Sequence, residues 1–294
     1  MFAGTHTALI TPFRDGAVDA DAFNALIERQ IAAGIDGIIP VGTTGESPTV
    51  THAEHLRLIQ LAVAAARGRC KVVAGTGSND TAKAIATTRE AEAAGADGAL
   101  VVAPYYNKPS QEGLYRHFRA IAEATKLPII LYSIPGRCGV EIGVETVCRL
   151  AADTPNVVAI KEAGGSVERV SQLRAALPQK FEILSGDDSL TLPFLAVGAV
   201  GVISTCANLI PAEMSQLVRA FLMGKPDVAR GLHEKFYRLF KDLFIEPNPV
   251  PLKTALHLCG QLPDAEVRLP LCEMGEATFA QLRATLVALG LLQR

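Results

Sequence analysis

The sequence predicts an α/β fold, a (β/α)8 TIM barrel with a C-terminal helical appendage. Short apolar runs rich in β-branched residues alternate with longer helical patterns, giving eight strand-then-helix units, the arrangement of parallel strands joined by right-handed crossovers. No GxGxxG follows the first run, which makes an open, doubly wound dinucleotide-binding sheet the weaker alternative. The chain has 294 residues, 49% of them hydrophobic and many of those alanine, which suits one large barrel with an Ala-rich helical shell.

The first predicted strand is residues 5–12, with a helix over 19–33 that stops at Gly34. The second is 37–41, and its helix over 51–66 opens on Thr51-His52-Ala53-Glu54, the spacing of a capping box. Strands at 71–76 and 98–103 precede helices at 80–94 and 111–124. The fifth strand, 128–134, leads to a helix over 144–152. The sixth, from Val157, is apolar and mostly β-branched up to Lys161, as a strand buried on both faces should be, and a helix over 167–177 follows. The seventh, 181–185, precedes a short helix over 190–197, and the eighth is 201–204. Helical patterns then recur at 213–222, 227–244, 252–259 and 274–291. Between two of them the alternate prolines of Glu246-Pro247-Asn248-Pro249-Val250-Pro251 predict a stiff extended bend. This divides the chain into a barrel, 1–224, and a C-terminal helical domain, 225–294, whose expected role is packing and assembly rather than chemistry.

The formal net charge is −2, and Lys and Arg are scattered, so neither nucleic acid nor an anionic membrane surface is an expected partner. The opening MFAGTHTALITPF has no cationic stretch followed by an apolar run, and no apolar segment approaches membrane-spanning length. The six cysteines are widely spaced without a CxxC pair, as expected of free thiols in a reducing cytoplasm.

In a barrel of this kind the active site lies at the C-terminal ends of the strands. Those ends carry Val41 to Ser47 (VGTTGES), Pro104-Tyr105-Tyr106-Asn107, Tyr132 with Pro135-Gly136-Arg137, Lys161, Ser185-Gly186-Asp187-Asp188, and Val202-Ile203-Ser204. Three of the five tyrosines fall at these ends. A lysine ending a buried strand either leads the chain out to water or sits desolvated as a neutral amine able to form a Schiff base. The GTTGES segment reads as a Gly-rich turn or as an anion cradle. Each tyrosine alone reads as a core-edge residue. Arg137 reads as a solvated loop charge or as a fork for a carboxylate. Asp187 and Asp188 read as a cap for the following helix rather than a metal pair. His52 and His55 stand one helical turn apart, but lack a third ligand and read as surface residues. No metal and no cofactor is expected.

Taken together, the residues resemble the pyruvate-dependent class I aldolases and lyases of the N-acetylneuraminate lyase superfamily, and within it the dihydrodipicolinate synthases. The segments that carry this are GTTGES (42–47), APYYNKPSQEGLYRHF (103–118), LYSIPGR (131–137), IKEA (160–163), LSGDD (184–188), GVIS (201–204) and EPNPVP (246–251). The resemblance implies condensation of pyruvate with L-aspartate 4-semialdehyde, on the route to diaminopimelate and lysine. It makes Lys161 the Schiff-base lysine and Tyr132 the proton-transfer tyrosine. Thr44 and Tyr106 become its relay partners, with Tyr106 reaching into a neighbouring subunit. Thr43 and Thr44 would cradle the pyruvate carboxylate and Arg137 would hold the semialdehyde carboxylate. Gly186 and Ile203 would line the site through backbone groups. A homo-oligomer follows, a dimer-of-dimers tetramer being the family expectation.

Ser133 stands where the family usually has Asn, and Cys138 where Thr is common. The family's lysine feedback site matches Ser47, His52, His55, Asn79 and Tyr105, but its glutamate is Lys83 here. A like charge should repel the effector's ammonium, so weak or absent inhibition is expected. The alternative is a sibling lyase acting on N-acetylneuraminate or a 2-keto-3-deoxy sugar acid. Arg137 speaks against it, because a cation suits a second small carboxylate better than a polyol.

Overall fold

A computed structural model describes residues 1–293. Eight parallel strands close into a barrel in the expected order. They are β1 (Gly4–Ala8), β2 (Gly37–Ile39), β3 (Lys71–Gly75), β4 (Gly98–Val102), β5 (Ile129–Ser133), β6 (Val157–Glu162), β7 (Glu182–Ser185) and β8 (Gly201–Ser204). Each is followed by a helix: α1 (Ala20–Ala32), α2 (His52–Ala66), α3 (Thr81–Ala93), α4 (Gln111–Glu123), α5 (Val144–Asp153), α6 (Val167–Ala176), α7 (Thr191–Ala196) and α8 (Pro211–Leu222). Closure is made by β1 against β8, with Gly4 opposite Gly201. A Cβ on Gly201 would stand 2.0 Å from the Gly4 carbonyl oxygen, so glycine is required where the first and last strands meet.

Two apolar clusters hold the barrel. The interior is filled by Phe2, Ala8, Ile39, Val73, Leu100, Ile130, Tyr132, Ala159, Leu184 and Ile203. The larger cluster lies between strands and helices, and it continues through Phe236, Leu239, Leu252, Leu256, Leu282 and Leu286 of the C-terminal helices. Those helices are α9 (Pro226–Asp242), α10 (Val250–Leu258) and α11 (Glu276–Ala288). Among the described residues no helix is long and apolar enough to cross a membrane.

The predicted capping box is present in full at α2, Thr51 and Glu54 each satisfying the other's backbone N–H. Four features differ from expectation. The 246–251 stretch is a turn leading directly into α10, not an extended bend. Pro251 sits in the first helical turn, where a missing N–H leaves no helical bond unmade. The chain after β1 forms a small hairpin, Phe13–Arg14 against Ala17–Val18. Its turn, Asp15-Gly16, has both φ angles positive (52° and 78°), as such tight turns require. A one-turn helix, Pro135–Cys138, follows β5. Finally, β6 runs one residue past Lys161. Glu162, which pairs in register with Ser133 and Ser185, turns its carboxylate away from the barrel interior onto Arg169 at 2.8 Å.

Candidate active site

Alternation along β6 sends Ala159 and Lys161 to the barrel interior and Ile160 and Glu162 towards the helices. Lys161 is 6% exposed. Its register partner on β5 is Tyr132, and Lys161 Nζ stands 4.2 Å from the centroid of the Tyr132 ring. On the other side, Gly186 directly follows the last residue of β7. A Cβ there would meet Lys161 Cε at 3.0 Å and Ala163 Cβ at 2.7 Å. Glycine at this position therefore makes room for the lysine side chain.

Burial dominates the electrostatics. It lowers the Lys161 ammonium from 10.5 to about 7, against the pull of the Asp188 carboxylate and with help from the Arg137 guanidinium. Burial likewise raises Tyr132 to about 12, opposed by Arg137 and by the neighbouring Thr43 hydroxyl. At neutral pH the site thus holds an amine of which about half is uncharged, beside a protonated phenol. Asp188 is pushed up to about 6, mainly by burial, although it accepts from the backbone N–H groups of Cys206 (2.8 Å) and Thr205 (3.1 Å).

The two aspartates therefore divide their work. Asp187 caps the turn that follows it, accepting from Ser189 N at 2.8 Å, as predicted. Asp188 does not cap that helix. It ties the end of β7 to the end of β8 and faces Lys161 electrostatically, a role the adjacent-pair reading missed. Among the described residues no group of three or more His, Cys, Asp and Glu could hold a metal ion.

Thr43, Gly42, Ser47, Gly75 and Tyr132 share the wall of a small cavity of about 30 Å³, room for a water. Thr44 is buried and its hydroxyl accepts from Asn248 Nδ2 at 2.9 Å, so the hydroxyl that meets Tyr132 is that of Thr43 and not, as expected, that of Thr44. Ile203 is buried in the interior cluster with Tyr132. Arg137 is exposed on the one-turn helix after β5. Ser133 is fully buried and its hydroxyl accepts from Ile142 N at 3.4 Å, while Cys138 Sγ donates to Ala103 O at 3.2 Å. Both departures from the family pattern are thus absorbed in packing behind the site. Tyr106 does not join the others within one chain. It is 90% exposed, with φ at +72°.

Of the residues matched to a feedback site, Ser47 lines the small cavity and His55 is hydrogen-bonded to Gly75 of its wall. His55 is only half-exposed, contrary to its surface reading, because its ring Nε2 is hydrogen-bonded to the Gly75 carbonyl at 2.9 Å. His52 is exposed and meets Glu90 at 3.1 Å. The Asn79 carbonyl accepts from Asn107 Nδ2 at 2.8 Å. Tyr105 is partly exposed, and Lys83 is exposed in the first turn of α3.

The C-terminal segment does more than pack. Besides the Asn248 contact, Lys253 of α10 meets Glu46 of the GTTGES loop at 2.5 Å, and both side chains are buried. The Arg268 backbone N–H donates to the other Glu46 oxygen at 3.0 Å. These contacts bring the segment, expected to serve packing and assembly, against the loop that carries Thr43 and Thr44. The signal in the sequence was the Asn between two prolines, a buried polar residue on a stiff turn.

A barrel whose strand ends bring a desolvated lysine against a protonated tyrosine defines a Schiff-base-forming enzyme of the class I aldolase type. The chain belongs to the dihydrodipicolinate synthetase family, which matches residues 1–289. A 4-hydroxy-tetrahydrodipicolinate synthase of Persephonella marina is 51% identical over 293 residues, covering 100% of each chain. The solved 4-hydroxy-tetrahydrodipicolinate synthase of Methylacidiphilum fumariolicum SolV superposes with a TM-score of 0.97 at 57% identity, over 99% of this chain and 96% of that one. The dihydrodipicolinate synthase of Aquifex aeolicus gives a TM-score of 0.97 at 49% identity, with 100% of both chains covered.

Proposed function

We infer that this protein condenses pyruvate with L-aspartate 4-semialdehyde to give 4-hydroxy-tetrahydrodipicolinate, in the branch leading to diaminopimelate and lysine. The observation that carries the reading is the register pairing of Lys161 with Tyr132 at the barrel's C-terminal end. The neutral Lys161 amine attacks the keto carbon of pyruvate, and loss of water leaves a protonated imine. That cation draws electrons from the adjacent methyl group, which releases a proton and becomes an enamine carbon. The enamine carbon then forms the new bond to the aldehyde carbon of the second substrate, whose oxygen takes up a proton.

Tyr132 handles these protons. Held protonated, it donates before it accepts, and Thr43, whose hydroxyl meets the phenol, connects it with Tyr106 to solvent. Thr43 and Thr44 receive the pyruvate carboxylate, and Gly186 and Ile203 line the site through their backbone. Arg137, exposed at the mouth, fits a fork for the carboxylate of the incoming semialdehyde. A residue that completes the relay yet projects into solvent from its own chain supports assembly, so Tyr106 is assigned to a neighbour's site and the protein to a homo-oligomer, a tetramer built as a dimer of dimers. The division into barrel (1–224) and helical domain (225–294) and a cytoplasmic location belong to the same reading.

The test is borohydride reduction in the presence of pyruvate, followed by peptide mapping. A reduced pyruvyl adduct on Lys161, together with faster turnover of aspartate semialdehyde than of N-acetylneuraminate, is the expected result. An unmodified Lys161 would end the Schiff-base reading; preference for the sugar acid would reassign the substrate.

A further inference from the structure

Arg169 lies in the first turn of α6 and is buried, at 6% exposure. Every nitrogen of its guanidinium is bonded. Nε donates to Glu162 Oε2 at 2.8 Å, Nη1 to Glu141 Oε2 at 3.1 Å, and Nη2 to the Ile142 carbonyl. Glu162 is fully buried next to Lys161 on β6, and its other oxygen accepts from Gly164 N at 2.7 Å. A Cβ on Gly164 would come 3.5 Å from Glu141 Oε1 and 3.6 Å from Pro135 Cγ, so the turn after β6 packs on the segment that follows β5. The Ile142 N–H returns to β5 by donating to the hydroxyl of Ser133, the register partner of Glu162, at 3.4 Å. Residues 134–142 thus leave β5 and come back to it, with Arg137 near the middle and the Arg169 guanidinium at the closing end. Burial dominates the electrostatics of Lys161 and Tyr132, yet the Arg137 charge is felt at both: it lowers the ammonium further and opposes the rise of the phenol. Where Arg137 stands relative to the amine therefore decides whether an aldehyde held at that guanidinium can reach the enamine carbon.

We propose that Arg169 is a positioning residue for the second substrate: by joining Glu162 of β6 to Glu141 and Ile142, it holds the segment that carries Arg137 at a fixed offset from Lys161. The inference rests on the function proposed above, in which Arg137 holds the semialdehyde carboxylate, and extends it to a side chain behind the strand ends. The arrangement needs arginine. A guanidinium presents five N–H donors in a rigid fork, enough to bind a carboxylate of β6, a backbone carbonyl and a second carboxylate at once. A lysine ammonium is a point charge on a flexible stem and cannot hold the three in one fixed geometry. Burial raises the Glu162 carboxyl and the Arg169 charge opposes that rise, so the cation also serves to keep the carboxylate ionised.

The two substrates give the test, because only one of them meets Arg137. Arg169→Lys keeps a positive charge beside Glu162 and loses the fork. In the full-length protein at saturating pyruvate, it should raise KM for L-aspartate 4-semialdehyde about tenfold. Its kcat/KM for pyruvate should stay within about twofold of the parent, and borohydride-trapped pyruvate at Lys161 should reach the parental extent, which also reports a folded site. A general loosening of the barrel would lower kcat/KM for both substrates together, so the split between them separates positioning from structural support. Should Arg169→Lys fail to fold, the double variant Glu162→Gln with Arg169→Met strands no buried charge and is read in the same way. Parental KM for the semialdehyde in the folded variant would overturn the inference, as would equal losses with both substrates. Arg137→Ala checks the reading beneath it and should raise the same KM by more than Arg169→Lys does. If Arg137→Ala leaves that KM at the parental value, or if the parental protein gains no adduct, the proposed function fails at that point and takes this inference with it. A raised KM in Arg137→Ala with a parental one in Arg169→Lys overturns the inference only.

Discussion

Lys161 and Tyr132 face each other as register partners on adjacent parallel strands, with the lysine nitrogen 4.2 Å from the centroid of the tyrosine ring. A cation over a ring face gains about 0.5–2 kcal/mol, which by itself favours the ammonium. Lowering the amine from 10.5 to about 7 reflects roughly 5 kcal/mol in the opposite sense. Desolvation therefore outweighs the ring and the Asp188 carboxylate together. The ring's use is different: it closes one side of the lysine against water and holds a phenol within reach of the carbon attached to the amine.

The rate of Schiff-base formation should follow the free-amine fraction. We predict that kcat/KM for pyruvate rises about tenfold per pH unit below about 7 and levels off above it. Asp188 favours the ammonium, so Asp188→Asn should move this acid limb to lower pH. A limb left in place by that substitution would show that Asp188 only joins β7 to β8.

A buried, depressed lysine also burdens the fold. Its neutral form is kept in the folded state while the unfolded chain protonates it, so stability is present above 10.5 and lost as pH falls to about 7. Lys161→Met should abolish turnover and raise thermal stability, by about 1–3 kcal/mol at pH 6. The gain should shrink as the pH is raised towards 10. Denaturant melts of both proteins at several pH values measure it, and a loss of stability at pH 6 would contradict the desolvated-amine account.

The barrel was legible because its physics is local. Runs such as Val157–Ile160 alternate with capped helices, and α2 carries its capping box in plain order. The lysine and tyrosine were legible because they end strands, and strand ends fix geometry. What could not be read was the pairing of distant side chains. Nothing in the order of residues says that Asn248 meets Thr44, or that Lys253 meets Glu46. Those contacts depend on how the last helices pack, a property of volumes rather than of periodicity. Asp188 escaped for a related reason: beside Asp187 it reads as half of a pair, and only the closeness of β7 and β8 separates their roles. The Asp15-Gly16 hairpin, by contrast, had a readable signal that the strand pattern overshadowed.

Gly186 tests how finely the lysine is placed. Gly186→Ala would put a methyl 3.0 Å from Lys161 Cε and 2.7 Å from Ala163 Cβ. Since Ala163 is set by backbone pairing, the lysine chain is the part able to yield. A displacement approaching 1 Å costs on the order of a hundredfold in rate. We expect kcat for Gly186→Ala to fall by about that factor, with the fold intact by circular dichroism. Unchanged turnover would mean that the amine tolerates more positions than this packing allows.

Feedback control offers a prediction in which sequence and structure meet. Ser47 and Gly75, whose carbonyl is held by His55, border the same small cavity as Tyr132, so an occupant beside them would be felt at the catalytic tyrosine. Lys83 stands in the first turn of α3, close in sequence to Asn79, and is exposed. An L-lysine ammonium arriving there would meet a like charge. Exposed charge pairs are worth about 0.2–1 kcal/mol, and reversing the sign doubles the difference. Inhibition of the parental protein by L-lysine should therefore need millimolar concentrations, and Lys83→Glu should lower the half-inhibitory concentration by about tenfold. The improvement should fade in high salt, because screening acts on exposed charges first. Steady-state assays of both proteins at low and high ionic strength decide the matter: micromolar inhibition of the parent would remove Lys83 from the account, and a salt-independent gain in the variant would point to shape rather than charge.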